Sequence, residues 1–407
     1  KHPFAAHVET AACPWNTEHR LARIALEGKT MDIGARPPTN LVFLLDVSGS
    51  MTPANKLPLV KRSMRLLLDR LEARDTVSIV VYAGAAGEIL PPTPGDRKTE
   101  IRGALERLRS GGSTNGGAGI ELAYRIAQEN FIEGGVNRVI LCTDGDFNVG
   151  VSNTEALAKL VEKRAGKGVF LTILGFGMGN LKDDRMEELS NRGNGNYGYV
   201  DSLREAQKLL VDQGLSTLVT IAKDVKIQVF FNPKRVAGWR LIGYENRLLR
   251  KQDFNDDTKD AGEIGAGHAV TALYEIVPAG GEVRGAYADP NPFVEPPAKA
   301  EKPTLRPTGS NALLRLRLRY KAPDGDRSTL MEQDVFDGEG EMAEADTDFQ
   351  WAAAVAGFGM LLRDSPYKGS CSWALVEEIA QAARGEDPGG YRAECLQLMR
   401  LAASLAR

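Results

Sequence analysis

Between residues 38 and 222 five short apolar or β-branched runs, at 41–45, 77–82, 138–143, 170–174 and 197–200, alternate with segments of helical periodicity. No other feature constrains the fold as much. The intervening segments KLPLVKRSMRLLLDRLEA, GGAGIELAYRIAQEN, NTEALAKLVEKRAGKG and LREAQKLLVDQGL repeat apolar residues at three- and four-residue spacing. Parallel strands need a long crossover, usually a helix, and right-handed crossovers distribute helices over both sheet faces. The alternation therefore predicts an α/β domain with a doubly wound, mostly parallel sheet.

The first run, LVFLLDVSGSM at 41–51, passes from five apolar residues straight into Asp46, Ser48 and Ser50. A run with no polar alternation reads as a central strand covered on both faces. Its carboxyl end opens at the sheet edge where open α/β folds bind ligands. Two further segments bring oxygen side chains to that edge, Thr114 from GGSTNGG and Asp144 from CTDGD. Glycines at 111, 112, 116 and 117 let the Thr114 loop approach closely. Asp followed by Ser-Gly-Ser also serves as an ordinary turn or helix N-cap; the combination with Thr114 and Asp144 is what favours a metal. Two carboxylates and three hydroxyls, with no His or Cys, suit Mg²⁺, Mn²⁺ or Ca²⁺ and disfavour zinc.

The flanks read differently. Residues 19–28 form a candidate strand, and DVKIQVFF, AVTALYEIV, NALLRLRLRYK and TLMEQDVF continue in strands and turns. With the α/β unit between them, the simplest arrangement is a β-sandwich built by both flanks and carrying the α/β domain as an insertion. The expected boundaries are 1–36 and 223–345 for the sandwich, 37–222 for the α/β domain, and 346–407 for a helical tail interrupted at EDPGG. Residues 289–309 are proline-rich and read as an exposed extended loop.

Several function classes are disfavoured. The formal charge of -3 gives no general attraction to nucleic acid or anionic membrane. In LLRLRLRYK the period of two sets Leu314, Leu316, Leu318 and Tyr320 against Arg315, Arg317, Arg319 and Lys321. A hairpin turning at Asp324 and Gly325 would place Arg317 opposite Glu332 and Arg315 opposite Asp334, neutralising the basic stripe. No apolar run approaches the roughly 18–20 residues of a membrane helix; the longest, 352–362, stops at Arg363. No signal-peptide pattern follows Lys1. Four scattered cysteines make no disulfide scaffold and no C-x-x-C zinc pattern. Cys142 is expected as a buried thiol, and a pairing of Cys371 with Cys395 stays open.

Catalytic signatures are missing as well. His2, His7, His19 and His268 fall outside the α/β stretch, and there is no G-x-S-x-G elbow, Walker A loop or G-x-G-x-x-G after a strand. DGDFNVGVSNTE imitates a calcium loop through Asp144, Asp146, Asn148 and Glu155, but Val149 stands where the sharp turn needs glycine.

The set Asp46, Ser48, Ser50, Thr114 and Asp144 resembles the complete metal-ion-dependent adhesion site of a von Willebrand factor type A domain. HPFAAHVETAACPWNTEHRLARIAL, RLIGYENRLL, DFNDDTKDAGEIGAGHAVTALYEIVP and GYRAE resemble the bacterial YfbK-type proteins, so the resemblance spans nearly the whole chain. It implies a Rossmann-like domain and a non-enzymatic module whose Mg²⁺, with Mn²⁺ or Ca²⁺ as alternatives, holds an Asp or Glu of a protein partner. In such sites the threonine and the second aspartate can exchange within the directly bound set, which makes affinity conformation-dependent. The resemblance also implies a cell-envelope or extracytoplasmic location, with a secretion signal or lipid anchor in a longer precursor. Two other readings are an adaptor for an ATPase machine and a metal-dependent hydrolase.

Overall fold

The structure, a computed structural model, describes residues 2–31, 34, 36–83, 86–112, 116–145, 154–177, 183–212, 219–243, 254, 262–283, 311–323, 325 and 327–406. The proline-rich loop, most of the calcium-like loop and nearly all of the acidic segment at 253–263 lie outside the described residues. Two compact units emerge. One gathers Lys1–Glu27, Asp224–Asp260 and Ala269–Arg407, and the other Gly28–Lys223 with Ala261–His268.

The chain opens with β1 (Phe4–Cys13) and β2 (Asn16–Gly28) and then enters the α/β unit. There β3 (Thr39–Asp46), α1 (Leu57–Leu68), β4 (Thr76–Tyr82), β5 (Ala86–Pro94), α2 (Lys98–Arg107) and α3 (Gly116–Glu129) follow in order. They are succeeded by β6 (Val136–Thr143), α4 (Thr154–Ala165), β7 (Val169–Phe176), α5 (Asp183–Arg192), β8 (Tyr197–Val200) and α6 (Leu203–Gln207). The sheet order is β5-β4-β3-β6-β7-β8, parallel throughout except for β5 on β4.

Every residue of β3 and β6 is buried, as unbroken apolar runs require of central strands. Alternation along β3 sends Leu41, Phe43 and Leu45 to one face, where α1 and α2 pack through Leu59, Val60, Met64, Ile101 and Leu105. Val42 and Leu44 meet α3, α4 and α5 on the other face, through Ile120, Tyr124, Val161 and Met186. Helices on both faces make the sheet doubly wound. His268, which the sequence places outside this stretch, is grouped with it: Gly28 N–H donates to the His268 carbonyl at 2.9 Å.

The other unit mixes strands from both ends of the chain. Its remaining strands are β9 (Thr220–Phe231, from Asp224 onward), β10 (Val236–Ile242), β12 (Ala269–Pro278), β13 (Leu314–Lys321) and β14 (Ser328–Val335), whereas β11 (Gly262–Gly265) is grouped with the α/β unit. They form two antiparallel-type sheets, ordered β1-β2-β12-β10 and β11-β9-β13-β14. Phe231 stacks on Trp239 with ring centroids 5.0 Å apart and meets Tyr274 edge-on at 5.5 Å, so aromatic rings join one sheet to the other.

The β13–β14 register pairs Arg315 with Asp334 and Arg317 with Glu332, and ion pairs of 2.5 and 2.7 Å close across them. Leu314, Leu316, Leu318 and Tyr320 turn inward. Three helices end the chain: α7 (Thr347–Leu362), α8 (Trp373–Ala382) and α9 (Tyr391–Leu405). Their apolar faces pack with Ala11, Cys13, Leu21 and Leu273 of the first of these sheets. Cys371 and Cys395 are free thiols, and Cys142 is buried with its thiol pushed far up by desolvation.

Candidate metal centre

β3 carries Asp46 to the carboxyl edge of the sheet, where its side chain is fully buried. Oδ1 accepts the Ser48 backbone N–H at 2.8 Å. Oδ2 accepts the Tyr82 hydroxyl at 3.1 Å and the Thr143 hydroxyl at 3.4 Å. Tyr82 ends β4 and Thr143 ends β6, the two neighbours of β3, so the carboxylate is braced from both sides. These donors are neutral, and among the described residues no cationic side chain pairs with Asp46.

Burial pushes the Asp46 carboxyl up most strongly. The Ser48 hydroxyl and amide and the Tyr82 hydroxyl hold it back, the nearby Asp144 charge adds to the rise, and the net direction is upward. Burial and the Asp46 charge also hold the Tyr82 hydroxyl far above its ordinary value, which keeps it a donor.

Ser48 stands at the N-cap position of a 3-10 turn, Gly49–Met51, yet its hydroxyl does not cap that turn. It lies 3.0 Å from the Ser50 hydroxyl instead. Ser48 is buried and Ser50 exposed, so the oxygens of Asp46, Ser48 and Ser50 step from the interior toward solvent. The Ser110-to-Gly112 stretch is laced to this turn: Gly111 N–H donates to the Val47 carbonyl at 2.8 Å and Gly49 N–H to the Gly112 carbonyl at 3.2 Å. Thr114 itself lies outside the described residues. Beyond it, α3 lies close on the sheet because Gly119 has no side chain; a Cβ there would come within 2.8 Å of Tyr82 Cβ.

Asp144 follows β6, with its side chain fully buried, and Oδ2 accepts from Lys56 Nζ at 2.8 Å. The structure thus brings Asp46, Ser48 and Ser50 into one bonded turn and sets Asp144 near enough to act on the Asp46 charge. Sequence reasoning missed Tyr82, Thr143 and Lys56. A hydroxyl residue ending each neighbour of a parallel strand is a usable signal for the first two, whereas Lys56 gives none.

The donor set fits a hard divalent cation. Among the described residues Asp46 is a buried carboxylate to which no cationic side chain is paired, beside two hydroxyl oxygens. Among the described residues no group of three or more His, Cys, Asp or Glu side chains could hold an ion. A cation here would therefore rest on two carboxylates plus hydroxyls, the coordination of Mg²⁺ or Mn²⁺ rather than zinc.

Comparison with known proteins gives two family matches: the von Willebrand factor type A domain over residues 40–212, and the family described as "Uncharacterized protein YfbK, C-terminal" over residues 216–405. The Escherichia coli (strain K12) protein "Uncharacterized protein YfbK" is 42% identical over 404 residues, covering 98% of this chain and 68% of its own. The human "Inter-alpha-trypsin inhibitor heavy chain H4" is 29% identical over 148 residues, 34% of this chain and 16% of its own. Among solved structures, "von Willebrand factor type A from Catenulispora acidiphila" aligns over 95% of this chain and 88% of its own, at 17% identity and a TM-score of 0.48.

Proposed function

Since the chain belongs to the YfbK family and carries a von Willebrand factor type A domain, a protein-interaction domain, we propose that it is a divalent-metal-dependent binding module that captures an Asp or Glu side chain of a protein partner. Asp46, Ser48, Ser50, Thr114 and Asp144 would hold the ion, with Mg²⁺ preferred and Mn²⁺ or Ca²⁺ accepted. The observation that carries this reading is Asp46: a fully buried carboxylate, braced among the described residues by neutral donors, at a sheet edge whose next oxygens lead out to solvent.

A bound ion supplies positive charge that a partner's carboxylate can complete. The chain's own residues do the positioning. Tyr82 and Thr143 fix the Asp46 carboxylate, and the turn at Gly49 presents the two serine hydroxyls side by side. Six-coordinate Mg²⁺ that keeps several waters cannot bind all five side chains directly, so at least one position stays exchangeable toward solvent. A carboxylate suits that position better than an amide because it brings charge to the cation.

The reading is non-catalytic: the described side chains around Asp46 are hydroxyls, one carboxylate and one lysine. It also places the protein at the cell envelope or outside the cytoplasm, where capture of surface partners operates. Among the described residues no helix is long and apolar enough to cross a membrane; attachment by a secretion leader or lipid anchor in a longer precursor belongs to the same proposal.

Metal binding to the folded state raises stability by mass action, by about 2.7 kcal/mol at an ion concentration of ~100 times Kd. Mg²⁺ should raise Tm of the wild type, and Asp46→Ala or Ser48→Ala should remove the effect. Equal stabilisation of wild type and Asp46→Ala overturns the reading. Partner capture should disappear in EDTA, fall in Thr114→Ala, and fail when the partner's key Asp or Glu becomes Asn or Gln.

A further inference from the structure

Lys56 reaches one of the two carboxylates at the sheet edge, Asp144, and its placement is built rather than incidental. Its backbone N–H donates to the Pro53 carbonyl and its carbonyl accepts from Val60 N–H, both at 2.9 Å, which fixes it at the entry to α1. The side-chain stem crosses Gly177, just past β7. A Cβ on Gly177 would lie 2.8 Å from Lys56 Cγ and 3.0 Å from Cδ, and the φ of +80° there also favours glycine. The absent side chain at 177 is the slot through which the lysine passes. At its end Nζ meets Asp144 Oδ2 at 2.8 Å, with the lysine side chain 11% exposed and the aspartate fully buried.

We propose that Lys56 is a tethered internal cation that tunes the proposed metal site, restraining Asp144 so that the bound ion favours an incoming carboxylate. This rests on the metal reading given above and adds the source of its selectivity. Charge counting gives the direction. A divalent ion with Asp46 and Asp144 is neutral, and an anionic ligand gains little from it. With Lys56 included the sum is one positive charge, which an Asp or Glu side chain cancels and an amide does not. Lys56 therefore weakens metal binding and strengthens carboxylate binding, two effects of opposite sign. A lysine that merely held the fold together would move both in the same direction.

The test uses the full chain with Mn²⁺ as the probe, its affinity read by electron paramagnetic resonance. Acetate, with acetamide as the uncharged control, is then titrated onto the Mn²⁺-loaded protein and followed by water proton relaxation. Lys56→Met should bind Mn²⁺ roughly tenfold more tightly or better, as expected for removing one charge a few ångströms away, and should lose the preference for acetate over acetamide. Lys56→Gln keeps a hydrogen-bonding group beside Asp144 and removes only the charge, so it should shift the same way if Lys56→Met folds poorly. Lys56→Arg restores the charge and should return both affinities toward wild type. If wild-type Mn²⁺ binding depends on Asp46 but Lys56→Met and Lys56→Gln bind Mn²⁺ no more tightly, the role of Lys56 is overturned while the metal reading stands. Absence of any Asp46-dependent Mn²⁺ binding overturns both.

Discussion

Asp75 shows how one buried carboxylate can hold the α/β unit at the edge opposite the candidate site. Arg36 grips it with two parallel hydrogen bonds, Nη1 to Oδ1 at 2.7 Å and Nη2 to Oδ2 at 2.5 Å. Thr39, which opens β3, adds its N–H at 3.0 Å and hydroxyl at 2.9 Å, and Glu72 N–H donates at 2.7 Å. Burial by itself would raise this carboxyl; the Arg36 hydrogen bonds, the Glu72 amide, the Arg36 charge and the Thr39 hydroxyl outweigh it, and the net direction is below the ordinary value. A depressed folded value means that the stabilisation is complete above the unfolded carboxyl value of about 3.9 and is lost as pH falls through the folded one. Urea unfolding between neutral pH and pH ~3 should therefore show an acid limb that flattens in Asp75→Asn, which at neutral pH should lose about 3–5 kcal/mol by leaving Arg36 buried and unpaired. An unchanged acid limb removes Asp75 as its source. The pairing also shows why parts of a site escape sequence reading. Asp46, Ser48 and Ser50 are legible because one turn carries all three. Tyr82, Lys56 and Thr143 reach Asp46 or Asp144 across sequence separations of 36, 88 and 97 residues; a hydroxyl at a strand end hints at Tyr82 and Thr143, and nothing local announces Lys56.

At the scale of elements, legibility follows burial on both faces. β3 and β6 announce themselves through uninterrupted apolar runs, and the β13–β14 register through its charge alternation. β5 does not: Pro91, Pro92 and Pro94 lack N–H groups and read as loop, which only an edge strand beside β4 tolerates. α2 and α5 bury three residues each, too few for a clear helical stripe, and β1 is alanine-rich with little strand propensity. α3 supplies a test of how tightly an element must fit. Alanine at Gly119 would bring Cβ within 2.8 Å of Tyr82 Cβ and 3.2 Å of Leu44 Cδ1, forcing the helix off the sheet. Overpacking of this kind costs about 1–3 kcal/mol and outweighs the helix-propensity gain of about 1 kcal/mol. At Gly103 in α2 the nearest atom is the Arg107 Nη1 at 3.6 Å, so Gly103→Ala should stabilise by up to about 1 kcal/mol. Thermal unfolding should place the two variants on opposite sides of wild type. Gly119→Ala should also weaken stabilisation by Mg²⁺, because the tyrosine it displaces braces Asp46; two variants of equal Tm would refute the close-approach argument.

For the whole molecule, the order of strands along the chain requires the α/β unit to enter and leave a structure that its own two flanks complete. β2 pairs with β12 from Arg20 opposite Ile276 to Glu27 opposite Ala269, although the entire α/β unit separates them in sequence. Removing residues 1–27 deletes β1 and nearly all of β2, half of a four-stranded sheet, and leaves a long edge of β12 unpaired. Unpaired edges of this length recruit other chains. The truncated protein should therefore self-associate and lose the unfolding transition of its flanking unit. Gly28–Lys223 retains all six strands of the parallel sheet and both faces of helices, so we propose that it folds alone. Where that fragment begins decides its stability. A start at residue 37 keeps every strand and helix but discards Arg36, whose side chain is 2% exposed and whose two terminal nitrogens both donate to Asp75. The buried Asp75 charge would then lose its partner at a cost of about 3–5 kcal/mol. Fragments starting at 28 and at 37, compared by denaturant titration at neutral pH, should differ by about that amount, and the gap should close when both carry Asp75→Asn. A gap that persists in Asp75→Asn would assign the difference to residues 28–35 instead, and equal stabilities would show that the Arg36 clamp adds nothing to the isolated unit.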